Sequence, residues 1–174
     1  MLTIRRATVA DIPLIRRLAE EIFSYTYREI HTPEQNEFMM DWMYSAESLH
    51  RQMVDEGQAF FIPEEDGCPV GYMSVQTEAE HIYHLQKIYL HPSCQGKGYG
   101  RQLFNHAIDY IHHVHPEPCA MRLNVNRYNT RAVCFYHRMG MEKIFEGDFH
   151  IGNGFYMTDY ILELKVEGTC QPNI

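Results

Sequence analysis

Three glycines at alternate positions constrain the fold of this chain more than any other feature. Gly96, Gly98 and Gly100 lie in the segment Gln95–Arg101, between an apolar run typical of a strand and an amphipathic run typical of a helix. Without Cβ atoms in such a turn, the backbone amides can converge on one point. The free N–H groups and the positive dipole end of the following helix add to that convergence. The segment therefore predicts an anion site, for which a pyrophosphate group is a natural occupant.

Two common nucleotide-binding patterns do not fit this turn. The dinucleotide pattern GxGxxG would need glycine at Arg101, and a P-loop would need serine or threonine where Gly98 follows Lys97. The pattern that fits is Q-x-x-G-x-G, read at Gln95, Gly98 and Gly100. On this pattern alone, a nucleotide-binding loop and an ordinary glycine-rich turn both stay open.

Composition excludes several classes of protein. The 174 residues, 45% apolar and 13% aromatic, are enough for one domain with a hydrophobic core. A net charge of −8 argues against a nucleic-acid partner. No run approaches the roughly 20 apolar residues that span a bilayer, so no membrane partner is expected. Five cysteines without a CxxC pair predict reduced thiols and a cytoplasmic location, namely Cys68, Cys94, Cys119, Cys134 and Cys170.

Hydrophobic periodicity predicts a mixed α/β chain with the element order β-α-α-β-β-β-α-β-α-β-β. The predicted strands are 3–5, 59–62, 70–75, 82–90, 119–125, 144–149 and 156–164. The predicted helices are 11–23, 45–54, 98–116 and 130–139. Residues 24–42, interrupted by Pro33, carry no assigned element, and the acidic run 64–67 predicts a turn. Residues 1–166 are expected to form one domain, and 167–174 a polar tail.

A second motif follows about thirty residues after the glycine-rich turn. Five residues fit the pattern N-x-x-A-x-x-F-Y-x-x-x-G, namely Asn129, Ala132, Phe135, Tyr136 and Gly140. Together the two motifs resemble those of the GNAT superfamily of acetyl-CoA-dependent N-acetyltransferases, although Met141 stands where that family usually has Phe. The resemblance extends over residues 3–165, because the element order also agrees. It implies a central, mostly antiparallel twisted sheet flanked by helices, and transfer of an acetyl group from acetyl-CoA to an amine.

The resemblance also implies how coenzyme A is held. The pantetheine arm would lie as an extra strand against the backbone of residues 88–90, and the pyrophosphate would lie on the glycine-rich turn. Positive charge would come from Lys97 and Arg101, and Arg138 is a candidate for the 3′-phosphate. Asn129 would both cap its helix and contact the pantetheine region. The full set of expected CoA-binding residues is Ile88, Tyr89, Leu90, Gln95, Gly96, Lys97, Gly98, Tyr99, Gly100, Arg101, Asn129 and Arg138.

The expected catalytic residues are Tyr136, His84 and Gln86. The resemblance implies that the Tyr136 hydroxyl protonates the leaving CoA thiolate. Many relatives use a glutamate on the strand 82–90 to deprotonate the amine, but this strand has none at the matching positions. His84 and Gln86 share one face of that strand, and an imidazole can serve as base directly or through water, whereas Gln86 can only position. A surface or core histidine stays open as the alternative for His84.

A group of histidines ends the predicted helix 98–116. His112 and His113 are adjacent, so their side chains diverge on a helix, and His115 follows just before a proline. Metal-binding histidines on a helix usually stand four residues apart. No metal is therefore expected, and acetyl-CoA is the one expected cofactor, as a co-substrate.

The acceptor is expected to be a small cationic amine. Carboxylates interleaved with aromatic residues suit such a ligand, and the expected substrate-binding residues are Glu21, Tyr25, Trp42 and Tyr156. The segments 23–26, 32–34 and 157–162 also resemble bacterial spermidine/spermine acetyltransferases. A protein or peptide amine is the second acceptor, and a non-catalytic acyl-CoA-binding regulatory domain is the second function. Members of the family often dimerise, so a homodimer is left open.

Overall fold

The computed structural model describes residues 1–169, and its main elements are eight strands and five α-helices. The strands are β1 (Leu2–Arg6), β2 (Ala59–Glu65), β3 (Cys68–Pro69), β4 (Gly71–Ala79), β5 (Ile82–Leu90), β6 (Cys119–Asn126), β7 (Glu142–Gly152) and β8 (Phe155–Val166). The helices are α1 (Ile12–Tyr27), α2 (Pro33–Tyr44), α3 (Ala46–Val54), α4 (Tyr99–Val114) and α5 (Thr130–Arg138). Most of the predicted tail, including Cys170, lies outside the described residues.

The strands form one mixed sheet, as the sequence predicted. Their hydrogen-bonded order is β1-β2-β4-β5-β6-β8-β7, and β3 pairs with β2. The pairs β1–β2, β2–β4, β6–β8 and β7–β8 are antiparallel. Strands β5 and β6 run parallel, with pairing from Ile82↔Ala120 to His84↔Arg122. The mostly antiparallel α/β class is therefore confirmed.

The sequence predicts no helix after Pro33, which interrupts the segment 24–42, but the structure has helix α2 there. Pro33 is instead the first residue of α2, and the side chain of Thr32 accepts a hydrogen bond from the backbone N–H of Gln35 at 3.1 Å. Proline suits this position because the first turn of a helix needs no N–H donor. The helix buries only Met39 and Tyr44, so its apolar spacing is too sparse to reveal it.

The acidic turn was placed too early along the chain. Glu64 and Glu65 belong to β2, where they pair with Thr3 and Leu2 of β1. The turn itself comprises Asp66 and Gly67. Pairing with β1 extends β2 through Glu64 and Glu65, although the polarity of these two residues alone predicts a turn.

The chain divides into two compact units. The first unit comprises residues 1–76 and 86–104, and the second comprises residues 77–85 and those from 105 onward. In the first unit, α1 turns its apolar face inward, and Phe23 of that helix lies 5.5 Å, between ring centroids, from Tyr44 of α2. The side chain of Ser45 caps α3 by accepting a hydrogen bond from Ser48 N.

The second unit contains β6, β8 and β7 in antiparallel order. Their alternating side chains give the sheet one apolar and one polar face. Met121, Leu123 and Leu162 are fully buried. On the other face, Arg122 pairs across the sheet with Glu163. This polar face therefore carries charged groups of both signs.

The cysteines of the described residues, at positions 68, 94, 119 and 134, are free thiols. None of the helices in residues 1–169 combines the length and the hydropathy that a membrane crossing requires.

Candidate active site

The glycine-rich turn has the backbone that its sequence predicted. Residues 95–98 form the turn, and α4 begins at Tyr99. Gly96 and Gly98 have φ angles of 82° and 78°, in the left-handed region that L-residues with side chains rarely adopt. A Cβ atom at either glycine would meet no atom within 4 Å, so the space beside the turn is open. An open, amide-lined turn at a helix N-terminus fits a phosphate group.

Lys97 and Tyr99 of this turn both contact Glu65 of β2. The Lys97 Nζ atom lies 2.9 Å from each carboxylate oxygen, and the Tyr99 hydroxyl donates to Oε1 at 2.5 Å. These contacts hold the pKa of the Glu65 carboxyl below its usual range and raise the pKa of Lys97. The carboxylate of Glu65 thus balances the charge of Lys97. Arg101 is exposed to solvent. Sequence reasoning missed Glu65 because it stands more than thirty residues earlier.

The expected pantetheine strand is the end of β5. Ile88, Tyr89 and Leu90 are all partly exposed. A Cβ atom on Gly71 of β4 would lie 2.2 Å from the carbonyl oxygen of Tyr89, so only glycine fits there. The close approach of β4 fixes the backbone at Tyr89 on that side.

Six rings form an aromatic cluster in the first unit, namely Phe23, Tyr27, His31, Tyr44, Tyr72 and Tyr89. The Tyr27 and Tyr89 hydroxyls lie 3.3 Å apart, and the Tyr72 hydroxyl donates to that of Tyr44 at 2.9 Å. Burial raises the pKa of both Tyr44 and Tyr72. The cluster therefore stays neutral and apolar, with hydroxyl pairs at its polar points.

His31 is the unusual member of this aromatic cluster. Its ring stacks on Tyr27, with centroids 4.6 Å apart and planes inclined by 5°. Its Nδ1 atom is buried and has no hydrogen-bond partner. Burial also lowers the pKa of His31, so the ring is neutral near pH 7. Sequence reasoning did not single out His31, because no element was assigned over residues 24–42; its spacing of four residues from Tyr27 is the signal that could have found it.

In the second unit, His84 lies in an ion-pair network on the polar face of the sheet. Its Nδ1 atom is 2.7 Å from Oε2 of Glu78 on β4. Arg122 reaches Glu78 at 3.7 Å and Glu163 at 2.7 Å. His84 therefore has a carboxylate partner that fixes its ring. Strand pairing, which the sequence alone does not specify, brings Glu78 to this position.

Gln86 makes a separate contact from that of His84. In the first unit, its side-chain amide donates to Oε1 of Gln76 on β4 at 2.9 Å. Gln86 is exposed.

Helix α5 carries the second sequence motif. Asn129 caps the helix, since its side chain accepts a hydrogen bond from Ala132 N at 3.3 Å, which confirms the predicted cap. Tyr136 is only 8% exposed and stands two turns further along. Arg138 ends the helix and is exposed.

Asp159 is a buried carboxylate that the sequence analysis did not single out. It is only 2% exposed, and Asn124 of β6 donates to its Oδ2 atom at 3.3 Å. Burial raises the pKa of Asp159 to about 6. Its strand alternation, read against the pairing Asn126↔Asp159, places it on the polar face of the second unit.

The expected acceptor residues are exposed. Glu21 and Tyr25 stand four residues apart on α1, and Tyr25 is 45% exposed with the Arg28 guanidinium 3.8 Å above its ring. Trp42 of α2 is 42% exposed. Tyr156 of β8 is 50% exposed, and its ring centroid lies 5.1 Å from that of His150. One face of the Tyr25 ring is therefore already covered by a cation of the protein itself.

The mixed sheet and the open glycine-rich turn at the start of α4 define a protein suited to a phosphate-bearing ligand. Residues 24–164 match the family model described as an acetyltransferase (GNAT) domain, so the chain belongs to the GNAT family of N-acetyltransferases and uses acetyl-CoA. It is 26% identical over 168 residues to the spermidine N(1)-acetyltransferase of Thermoplasma acidophilum, covering 94% of this chain and 97% of that protein. It is 28% identical over 116 residues to the peptidyl-lysine N-acetyltransferase YjaB of Salmonella typhimurium, covering 58% and 72%. The crystal structure of PaiA N-acetyltransferase from Thermoplasma acidophilum with coenzyme A is similar in fold, with a TM-score of 0.76 and 24% identity over 95% of this chain and 99% of that one.

Proposed function

We propose that this enzyme acetylates a primary amine of a small cationic acceptor of the polyamine class. One observation carries the choice of acceptor: the similarity to a spermidine acetyltransferase extends over nearly the full length of both proteins. The net charge of −8 and the exposed Glu21, Tyr25 and Trp42 agree with a cationic ligand.

The proposed base is His84. An alkylammonium has no lone pair, so it must lose a proton before it can attack a thioester. The N–H at Nδ1 of His84 donates to Glu78, which leaves the lone pair on Nε2. We assign Nε2 the task of taking the proton, directly or through a water molecule. Gln86 positions the acceptor.

The proposed acid is Tyr136. The amine nitrogen attacks the carbonyl carbon of the acetyl thioester, a C–N bond forms, and the C–S bond breaks. The departing thiolate takes the proton of the Tyr136 hydroxyl. The attacking nitrogen, which carries one proton too many after the C–N bond forms, releases it to solvent, and the Tyr136 hydroxyl regains a proton from solvent. The burial of Tyr136 supports this role because a hydroxyl shielded from water donates to a specific partner.

Coenzyme A is proposed to bind through backbone groups more than side chains. The amides of the turn Gln95–Arg101 would hold the pyrophosphate, and residues 88–90 the pantetheine arm. Lys97, Tyr99 and Arg101 line the phosphate site, while Asn129 and Arg138 are assigned to the pantetheine and the 3′-phosphate.

A peptide lysine is the second candidate acceptor. The similarity to a peptidyl-lysine acetyltransferase favours it, although that match covers 58% of this chain. A lysine side chain and a polyamine share the same primary ammonium chemistry. They differ in what surrounds the amine, so turnover distinguishes them.

The test is thiol release from acetyl-CoA with a panel of amines: spermidine, spermine, putrescine, a lysine-containing peptide and a neutral hydroxylated amine. We expect spermidine or spermine to give the highest kcat/KM. Tyr136→Phe should lower kcat at least tenfold, whereas Tyr128→Phe, an exposed tyrosine of the same unit, should not. Exclusive turnover of the peptide would replace the polyamine proposal with the second candidate. Binding of acetyl-CoA with no turnover on any amine would leave a non-catalytic domain.

A further inference from the structure

Two loops of the second unit bring metal-ligand side chains together. His81 lies in the two-residue turn between β4 and β5, and His115 and Glu117 lie in the loop between α4 and β6. One nitrogen or oxygen atom of each residue lies within 4.8 Å of the others. We call these three residues the His81 cluster. His81 is distant in sequence from the other two residues, so the sequence analysis considered only the neighbouring histidines and expected no metal.

The backbone holds both loops of the His81 cluster in place. The carbonyl oxygen of His81 accepts a hydrogen bond from Ala120 N at 2.9 Å, which joins the turn to the first residues of β6. The N–H of His115 donates to the carbonyl of Ile111 at 2.7 Å and so continues the last turn of α4. The two imidazoles are therefore presented by anchored backbone on both sides.

His81 adopts a backbone conformation that glycine or asparagine more commonly fills. Its φ angle is 60°, in the left-handed region. In this conformation its Nδ1 atom lies 2.8 Å from Nε2 of His115, with ring centroids 4.9 Å apart. One proton between two nitrogens satisfies this contact, and so does one metal ion bound to both lone pairs.

We propose that the His81 cluster binds a divalent transition-metal ion, for which Zn²⁺ is the probe. Two imidazole nitrogens and a carboxylate oxygen are ligands that Zn²⁺ takes, and water completes the coordination. With Zn–N bonds of about 2.0–2.1 Å, two tetrahedral nitrogen ligands stand roughly 3.3 Å apart. The pair at 2.8 Å needs to open by about half an ångström, which side chains at an exposed turn can do.

The chemistry of the cluster also selects against other ions. Mg²⁺ and Ca²⁺ prefer oxygen ligands and gain little from two imidazoles. Glu117 contributes a negative charge, and Glu80 adds another, with its Oε1 atom 3.6 Å from Nε2 of His81. The site therefore differs from the acetyl-transfer residues in both its place and its ligand class, and it does not depend on the proposed acceptor.

The test uses the tag-free full chain, stripped of metal, in calorimetric titrations with Zn²⁺ and separately with Mg²⁺. We expect one saturable Zn²⁺ site and no Mg²⁺ binding. His81→Asn should weaken Zn²⁺ binding about tenfold or more, and asparagine keeps the left-handed backbone available. His115→Gln is the second variant, and His113→Gln, an exposed histidine outside the cluster, is the matched control that should bind as the parent does.

Thermal unfolding gives an independent readout. A ligand that binds only the folded protein raises the Tm, so Zn²⁺ should raise the Tm of the parent and of His113→Gln more than that of either cluster variant. The proposal is overturned if no saturable site is found. It is also overturned if the cluster variants bind Zn²⁺ as tightly as the control, since exposed thiols such as Cys68 would then account for the binding.

Discussion

The Nδ1 atom of His84 lies 2.7 Å from Oε2 of Glu78, a residue on the preceding strand. A histidine held in this way has one tautomer and one ring orientation, because its N–H points to the carboxylate. Arg122 contacts the other carboxylate oxygen of Glu78 at 3.7 Å and helps to hold that side chain in place. The same arrangement, a base and a group that orients it, recurs in enzymes that activate nucleophiles.

His84→Gln should lower kcat/KM by about 10²- to 10⁴-fold if His84 removes the proton of the amine. The dependence of the rate on pH should also change, since glutamine cannot accept the proton of the amine. The measurement is kcat/KM for the best amine from pH 5.5 to 9. The matched control His113→Gln should keep the parent's profile. An unchanged profile in His84→Gln removes His84 as the base.

Glu78→Gln should produce a smaller loss than His84→Gln. The glutamine can still hold the ring by accepting from Nδ1, but it no longer stabilises the imidazolium that forms after proton transfer. We expect kcat to fall about tenfold while the KM for acetyl-CoA stays constant. A rise in that KM without a fall in kcat would show that Glu78 supports the fold instead of the base.

Glu65→Gln should tighten the binding of coenzyme A. The carboxylate now holds Lys97 at 2.9 Å and so competes with any phosphate for that ammonium. Because Lys97 is exposed and Glu65 is partly exposed, we expect only a two- to fivefold fall in Kd, about what a surface ion pair contributes. The same substitution in a Lys97→Met background should change Kd little. Weaker binding in Glu65→Gln would mean that the carboxylate instead positions Lys97 for the ligand.

The sequence predicted the parts of this site that depend on local backbone. The left-handed backbone at Gly96 and Gly98 favours glycine, and Asn129 caps the helix that follows it, so a short stretch of sequence specifies each. The mixed α/β element order followed from periodicity in the same way, whereas the single, mostly antiparallel sheet was implied by the resemblance to the GNAT superfamily. Helix α2 was not predicted, because few of its side chains are buried and its sequence therefore shows little apolar periodicity.

The side chains that act across strands could not be predicted in this way. Glu78 reaches His84 on the neighbouring strand, and that contact depends on strand register. Glu65 reaches Lys97, and that contact depends on β2 lying beside the glycine-rich turn. Register is set by the whole sheet and changes which face a residue occupies if it slips by one position. A polar residue inside an otherwise apolar strand is the available signal, and in Asp159 it marks a buried carboxylate.

Asp159→Asn should stabilise the protein at neutral pH. Burial raises the pKa of Asp159 from 3.8 to about 6, so the folded state disfavours the charged carboxylate. The free energy of unfolding therefore falls as pH rises from about 4 to about 6 and levels off above that range, and asparagine removes this fall. We expect a gain on the order of 2 kcal/mol at pH 7, measured by urea unfolding at pH 4.5 and 7. The exposed Asp109→Asn should stay within about 0.5 kcal/mol of the parent. Equal stability of Asp159→Asn and the parent at pH 7 would contradict the prediction, because the carboxylate would then carry no cost of burial.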